Sequence, residues 1–332
     1  MFNIQDLVDK INERVESHKI SDGVYARWLW QDKKNSRELG ANPYGCADAA
    51  NLLYTIGNFP RHDDNRAAWI KAMQDMQDEE SGLFYESTHH PIHTTAHVAA
   101  ALELFDAAPK YRPLEMLQYL ESEAFNKFMD SLAWNAPWNA SHQGAGLYVI
   151  LNLCNEATPE WNDMYFKWLW DNTDDASGFW RKGEVGKEGN APLFNYMASA
   201  FHYFFNHESA HMPVRYPERI IDSCIWMYKE RKLQAAFPCQ ISFTEVDLVY
   251  CLTRASRQTP YRFNDVKEVL RDLANVYITY LRSLDWETDD GLNDLHLLFG
   301  SACALAELQS ALPGEIKTDK PLKLVLDRRP FI

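Results

Sequence analysis

The sequence is short of positive charge and holds no cluster of lysine or arginine. It has 33 Lys and Arg against 47 Asp and Glu, so the formal net charge is −14 at pH 7. Nucleic-acid binding depends on clustered cations that neutralise phosphates, and attraction to an anionic membrane surface needs the same cations. The sequence therefore predicts no nucleic-acid partner and no membrane partner. A small molecule or an oligosaccharide is the expected ligand, and the sequence does not indicate an oligomeric state.

Long apolar segments and paired cysteines are also missing. No stretch approaches the roughly 20 apolar residues that a membrane-spanning helix needs. The first nineteen residues form an amphipathic, charged pattern without the apolar core of a secretory signal. The six cysteines are scattered and include no CxxC pair, which is typical of reduced thiols and not of a disulfide framework. We therefore expect a cytoplasmic protein.

Strand alternation is absent before residues 322–327, whereas apolar residues recur with helical spacing through the rest of the chain. Three segments about a hundred residues apart share acidic residues that lead into a glycine and an apolar residue. They are MQDEESGLF (76–84), NTDDASGFW (172–180) and ETDDGLNDL (287–295). Each follows a charged amphipathic pattern and precedes a more apolar one, which predicts alternating outer and inner helices.

This repeat predicts an all-α chain that forms a single (α/α)6 toroid domain, residues 1–332, of about twelve helices. We expect approximate repeats over 40–133, 134–232 and 233–313, followed by a short extended tail over 314–332. In such a toroid, every loop that runs from an outer to an inner helix emerges at the same end. Those loops are rich in Trp, His, Asn, Gly and acidic residues, whereas every loop at the other end carries proline. The functional face is expected at the first of these ends.

The candidate catalytic residues lie close to the starts of the inner helices. They are Asp48, Glu245, Asp294, His142 and His93. Asp48 interrupts an otherwise apolar helix, and burying an unpaired charge is costly, so we expect it to have a partner or a catalytic role. A carboxyl group in a partly dry cavity has a raised pKa, as a general acid at neutral pH requires. A purely structural role is the alternative for each of them.

The candidate substrate-binding residues lie in the loops of the same face. They are Trp134, Trp138, Gln143, Trp180, Arg181, Asn195 and Tyr196. Tryptophan rings offer flat apolar faces to sugars, and an arginine is suited to bind a carboxylate through two hydrogen bonds, as in a uronate. The alternatives are a hydrophobic plug for the tryptophans and a solvated surface position for the arginine.

The histidine-rich stretch STHHPIHTTAH (87–97) does not complete a metal site by itself. His93 and His97 are four positions apart, a spacing that two metal ligands on one helix often have. The chain has no HExxH motif, and no cysteine or carboxylate stands at a spacing that adds a third local ligand. We therefore predict no metal and no cofactor. His93 is expected either to contact substrate or to have a structural role, and His97 to lie in the core or the wall of the fold.

The succession of helix, acidic glycine turn and helix resembles the α/α-toroid families. QDEESGLF (77–84) is similar to the glycine-rich turn that precedes an inner helix in prenyltransferase and squalene-cyclase repeats. The architecture also resembles six-hairpin carbohydrate enzymes, which include unsaturated glucuronyl hydrolases, sugar epimerases and toroidal polysaccharide lyases. The resemblance covers most of the chain in architecture but no catalytic motif, so no family's catalytic residues are carried over.

The resemblance implies a carbohydrate-active enzyme of glycoside hydrolase or polysaccharide lyase type. Such an enzyme would act on an oligosaccharide by general acid–base catalysis with carboxylates and histidines. One form of this hypothesis has an oligosaccharide that contains uronate. The alternatives are a terpenoid or prenyl-type toroid enzyme and a non-catalytic toroid that binds a glycan or a protein. The segments NTDD and ETDD look like the DxDD acid of terpenoid cyclases, but we expect them to form ordinary turns because each precedes a glycine.

Overall fold

The computed structural model describes residues 1–332, and most of them are helical. In chain order the elements are β1 (Phe2–Asn3), α1 (Gln5–Ser17), β2 (Lys19–Ser21), β3 (Val24–Tyr25), α2 (Pro43–Ile56), α3 (Asp63–Gln74), α4 (Pro91–Glu103), a first 3-10 helix (Leu114–Leu120), α5 (Ser122–Ser131), α6 (Pro137–Leu153), α7 (Pro159–Asp171), α8 (Leu193–Ser209), α9 (Pro217–Lys229), α10 (Thr244–Gln258), α11 (Phe263–Ser283), a second 3-10 helix (Asp290–Asn293), α12 (Leu295–Ala311), β4 (Ile316–Lys317) and α13 (Val325–Arg328). The predicted all-α class is confirmed. None of the helices is both long enough and apolar enough to cross a membrane.

Two kinds of helix alternate along the chain. Helices α2, α4, α6, α8, α10 and α12 are buried over most of their circumference, because small and apolar residues occupy most of their positions. Helices α1, α3, α5, α7, α9 and α11 each bury one face and expose the other. The core therefore lies among and around the six even-numbered helices from α2 to α12, which we call the inner helices.

The inner helices contact one another in the order in which they occur in the chain. Helix α2 packs on α4, α4 on α6, α6 on α8, α8 on α10 and α10 on α12, and α12 in turn packs on α2. Helix α1 lies against α2 and α12, α3 against α2 and α4, α9 against α8 and α10, and α11 against α10 and α12. Residues from the first and the last inner helix are thereby brought together.

Two of the three acidic glycine segments form the same turn. The carboxylate of Asp78 accepts hydrogen bonds from the backbone N–H and the hydroxyl of Ser81, and the N–H of Gly82 donates to the Asp78 carbonyl. Residues 174–178 reproduce every one of these bonds. Gly82 has a φ of +72°, and a Cβ there would lie 1.9 Å from the carbonyl oxygen of Arg112. Only glycine fits this position, since both the dihedral and the contact exclude a side chain.

The tail differs in part from the extended segment predicted over 314–332. Strand β4 pairs in parallel with β1, but residues 325–328 form one helical turn. Its Asp327 accepts hydrogen bonds from Arg254 at 2.8 Å and from Arg257 at 2.7 Å, and these ion pairs hold the turn against α10. Beyond it, Phe331 is fully buried, so the end of the tail is part of the core.

Candidate functional site

Six of the eleven histidines lie in one group, five of them buried and one half-buried, which we call the histidine cluster. One comes from the loop before α4, two from α4, and one each from α6, α8 and α12: His89, His93, His97, His142, His202 and His296. Each ring contacts others of the cluster, and the closest pair of ring centroids, that of His93 and His142, is 4.1 Å apart. The packing order of the inner helices explains why residues so distant in the chain meet here.

Asp48 connects two of these histidines. Its Oδ1 lies 2.9 Å from Nε2 of His97 and 3.0 Å from Nδ1 of His296. Burial alone would raise the pKa of Asp48, but the two imidazoles outweigh it and the pKa falls well below its ordinary value. An ionised carboxylate only accepts hydrogen bonds, so both facing nitrogens carry protons. Burial lowers the pKa of His97 to about 4, so near pH 7 its opposite nitrogen, Nδ1, holds a lone pair. The partner expected for Asp48 is present.

A second carboxylate orients a third histidine. Oε1 of Glu86 lies 2.8 Å from Nδ1 of His89, and Arg27 reaches the other oxygen of Glu86 at 3.4 Å. Arg27 also donates two hydrogen bonds, 2.9 and 3.0 Å long, to the two oxygens of Asp294. The rings of His89 and His296 stand edge to face with their centroids 5.5 Å apart. The cluster therefore contains two neighbouring imidazoles, each oriented by its own carboxylate.

Three other histidines come together without a carboxylate. One ring nitrogen each from His93, His142 and His202 lies within 4.8 Å of the other two, and all three residues are buried. Burial is the main cause that lowers the pKa of His93 and of His142 well below the ordinary value and the pKa of His202 to about 3. The three rings are therefore neutral near pH 7, which is the form that binds metal ions. Asp48, His97 and His296 form a second group of the same kind.

Aromatic rings cover the cluster. Tyr44 stacks on His89 and on His97, with centroid distances of 4.5 and 4.6 Å, and its hydroxyl is hydrogen-bonded to Nδ1 of His93. Trp138 is half-buried and lies edge-on to His142 at 4.8 Å. The rings shield the imidazoles from bulk water, which strengthens the electrostatic interactions between them.

Three of the five predicted catalytic residues belong to this arrangement: Asp48, His93 and His142. Asp294 lies next to it but is paired with Arg27, so it serves to hold that guanidinium. Glu245 is buried at the start of α10 and makes no hydrogen bond to the cluster; its Oε2 accepts from the hydroxyl of Ser242 at 2.7 Å. Burial raises the pKa of Glu245 to about 7.

Two of the three tryptophans predicted to bind substrate are buried in the core. Trp134 and Trp180 are only 3% and 1% exposed, and their indole N–H groups donate to backbone carbonyls of Met129 and Leu169. They face inward because each packs on core rings, Trp134 on that of Trp168. Neither offers a free face to a ligand, contrary to what their loop positions suggested.

The four other residues predicted to bind substrate make their contacts outside the histidine cluster. Arg181 pairs with Asp130 at 2.7 Å, and Gln143 donates to the backbone carbonyl of its own helix at Asn139. The Tyr196 hydroxyl donates to backbone carbonyls, and Asn195 is partly exposed in the first turn of α8. Of the seven residues predicted to bind substrate, Trp138 is the one that contacts the cluster.

Several residues of the site were not predicted. They are Arg27, Tyr44, Glu86, His89, His202 and His296. His202 and His296 interrupt apolar helices just as Asp48 does, and that signal was sufficient to find them. Arg27 and Glu86 lie in loops with no distinguishing pattern, so only the folded chain brings them to the site.

No protein-family model, no curated protein and no solved structure matches this chain. The function is therefore inferred from the geometry of the histidine cluster and of the groups that orient it.

Proposed function

We propose that the chain is an enzyme with an (α/α)6 toroid fold and that the histidine cluster is its active centre. The contact of α12 with α2 supports a ring of inner helices. The matching turns at 78–82 and 174–178 support repeats within it. In a ring of this kind the inner helices direct their side chains toward a common axis, where the six histidines would meet.

The observation that carries the proposed activity is the pair of carboxylate-oriented imidazoles. His296 donates its Nδ1 proton to Asp48 and His89 donates its Nδ1 proton to Glu86, so Nε2 is the nitrogen of each ring that can exchange a proton with a substrate. Their centroids are 5.5 Å apart. A base held in position by a third group is the arrangement that general acid–base catalysis requires. In this proposal one ring, neutral, removes a proton from the substrate through Nε2, and the other, in its imidazolium form, donates its Nε2 proton to the leaving group.

The proposed substrate is an oligosaccharide, cleaved by hydrolysis or by elimination. Trp138 supports this class because it is half-buried beside His142 and keeps part of its ring accessible to a sugar face. Glycosidases with two carboxylates need one of them protonated. Asp48 and Glu86 both have lowered pKa values and are ionised, so the proton transfers are assigned to imidazoles.

The terpenoid alternative has less support, since the proposed centre is lined by imidazoles and carboxylates and an isoprenoid needs an apolar wall. The acid of NTDD that resembles a cyclase acid, Asp174, is engaged in a turn with Ser177. The non-catalytic alternative has to account for Oδ2 of Asp48 and Nε2 of His142, which are buried without partners. Unpaired buried groups are costly, and they concentrate at catalytic and ligand-binding sites.

The proposed activity is tested with a panel of neutral and uronate-containing oligosaccharides. New reducing ends report hydrolysis, and the ultraviolet absorbance of unsaturated products reports elimination. Asp48→Asn and Glu86→Gln should each lower kcat/KM by about 10² to 10⁴ with unchanged far-UV circular dichroism, because the rings lose their orientation. Glu123→Gln, an exposed change on α5, is the control. The proposal is rejected if the wild type cleaves none of the panel or if both cluster variants retain full activity.

A further inference from the structure

We infer that His93, His142 and His202 form a binding site for one divalent transition-metal ion, with Zn²⁺ as the best match. The site lies inside the proposed active centre, so the inference deepens the proposed function. Its ligands come from α4, α6 and α8, three inner helices that contact one another in sequence. Helices hold their side chains more firmly than loops, which favours a preformed site.

The free ring nitrogens carry the inference. Nδ1 of His202 lies 3.2 Å from the hydroxyl of Ser141, which itself donates to the Trp138 carbonyl, so Nδ1 donates the proton and Nε2 keeps its lone pair. Nδ1 of His93 is hydrogen-bonded to the Tyr44 hydroxyl; in the tautomer that binds a metal, Nδ1 donates to the phenol oxygen and Nε2 presents its lone pair. Metal-binding histidines usually have their second nitrogen hydrogen-bonded in this way, because that bond orients the ring.

His142 provides the third nitrogen, and the surroundings of that nitrogen are the strongest indication that a ligand binds here. Its Nε2 is buried and has no hydrogen-bond partner. A buried polar atom without a partner costs about 1 to 3 kcal/mol. No hydrogen bond joins the rings of His93, His142 and His202 to one another, and none fixes which nitrogen of His142 carries the proton, so its Nε2 can present a lone pair. A cation bound between them would satisfy all three at once.

The distances suit a metal after a small adjustment. Three nitrogens around a tetrahedral Zn²⁺ are about 3.3 Å apart, given Zn–N bonds of about 2.0 to 2.1 Å. The nitrogens here are within 4.8 Å of one another. The required approach of up to about 1.5 Å is within the reach of side-chain rotation about χ1 and χ2, so the helices need not move.

The second group, Asp48 with His97 and His296, is the weaker candidate for a metal. Both ring nitrogens that face Asp48 carry protons that the carboxylate accepts. A metal there would have to displace two charge-assisted hydrogen bonds, which are the strong ones in a buried site. We therefore assign this group to orientation of the imidazoles and not to metal binding.

The ligand chemistry selects the kind of metal. Imidazole nitrogens suit Zn²⁺, Cu²⁺, Ni²⁺ and Fe²⁺, whereas Ca²⁺ and Mg²⁺ require oxygen ligands. Three protein ligands leave a fourth position for water, as in catalytic zinc sites, where the pKa of that water falls to about 7. His89, whose ring centroid is 4.9 Å from that of His93, is placed to accept the proton that such a water would lose. The metal would thus supply the nucleophile or the Lewis acid for the proposed reaction.

The test measures metal binding directly, without an assay of activity. The full chain is freed of metal with a chelator and titrated with Zn²⁺ by calorimetry and with Co²⁺ by visible absorption. The expected result is one equivalent of Zn²⁺ bound with a Kd below about 1 μM and a Co²⁺ spectrum of four-coordinate type. X-ray absorption at the zinc edge of the wild type should show about three imidazoles.

Variants separate this site from its surroundings. His142→Ala and His202→Ala should each weaken Zn²⁺ binding on the order of 100-fold or more, and Ser141→Ala, which keeps every ligand, by about 10-fold. His97→Gln changes a residue of the group around Asp48. It should leave the Zn²⁺ affinity within about 3-fold of the wild-type value, because His97 is not a metal ligand in this assignment. His62→Ala, an exposed change at the start of α3, is the control for histidine content.

The outcomes distinguish the metal site from the proposed activity. Absence of stoichiometric binding by the wild type, or full binding by a folded His142→Ala protein, overturns the metal site and leaves the acid–base proposal standing. Loss of binding in His97→Gln with retention in His202→Ala would move the metal to the other group and likewise overturn this assignment. Tight binding without cleavage of any oligosaccharide would retain the metal site and reject the proposed substrate class.

Discussion

Nδ1 of His296 lies 3.0 Å from Oδ1 of Asp48, although 248 positions separate the two residues in the chain. Asp48 stands on α2 and His296 on α12, the first and last of the inner helices. The same oxygen accepts a hydrogen bond from His97 on α4. One carboxylate therefore connects three helices inside a buried region, where water does not replace a lost partner.

Asp48→Ala should lower the free energy of unfolding by about 3 to 5 kcal/mol. The substitution leaves two buried ring N–H groups without an acceptor, and removal of one partner from a buried charged network typically costs this much. Urea denaturation followed by tryptophan fluorescence measures the change. The double variant with His296→Ala should lose less than the sum of the two single effects, because the second substitution removes one of the stranded donors. Strict additivity would mean that the two side chains do not interact.

Gly82→Ala should destabilise the protein by at least about 2 kcal/mol more than Gly57→Ala. Both glycines have positive φ, +72° and +84°, so each substitution carries the cost of a left-handed alanine, about 1 kcal/mol. A Cβ on Gly57 would have no neighbour within 4 Å, whereas one on Gly82 would lie 1.9 Å from a backbone oxygen. Thermal or urea unfolding of the two variants isolates this steric contribution, and equal losses would show that the turn at 78–82 adjusts freely.

Glu245 should make the protein less stable as pH rises from about 4.5 to 7. Burial raises the pKa of this carboxyl to about 7, so between those pH values the folded state keeps a proton that the unfolded state has released. Stability is therefore fully present below the unfolded pKa and falls until the folded group ionises, by about 3 kcal/mol in total. Asp247, whose pKa is also raised by burial and by Glu245, adds a loss of the same sign.

Glu245→Gln tests this pH dependence. The variant should match the wild type at pH 4.5 and be more stable at pH 8, by up to about 3 kcal/mol, because glutamine has no charge to desolvate. Urea denaturation at both pH values gives the two differences. Glu188→Gln, an exposed change in a loop, should alter neither. A Glu245→Gln protein with the wild-type pH profile would show that the carboxyl ionises without cost in the fold.

The helical class and the turns were predictable because their causes are local. Apolar spacing determined the inner helices, and the turns at 78–82 and 174–178 follow from an aspartate, a serine and a glycine within five positions. Asp48 was expected to have a partner or a catalytic role, since a carboxylate inside an apolar helix has to be compensated, and the structure provides two partners. These inferences need only neighbours in the chain and general costs of burial.

The residues that make up the site were less predictable, because those that contact one another lie far apart in the chain. No spacing in the sequence relates Asp48 to His296 or Arg27 to Asp294. Trp134 and Trp180 stand in loops near the expected face, but the side to which a ring turns depends on packing against other elements. Both rings turn into the core, and that outcome is decided by tertiary contacts that no local pattern contains.

The parallel pairing of β1 with β4 and the insertion of Phe331 beside the cluster have a consequence for how the protein is made. Asp294, His296 and Phe331 all follow the fifth inner helix in the sequence, and the ring centroid of Phe331 lies 5.0 Å from that of His93. A chain synthesised only as far as the fifth inner helix contains all three proposed metal ligands but lacks the imidazole of His296, which completes the Asp48 contact. The site can therefore be complete only after α12 and the residues up to Phe331 have been synthesised and have packed against the other inner helices.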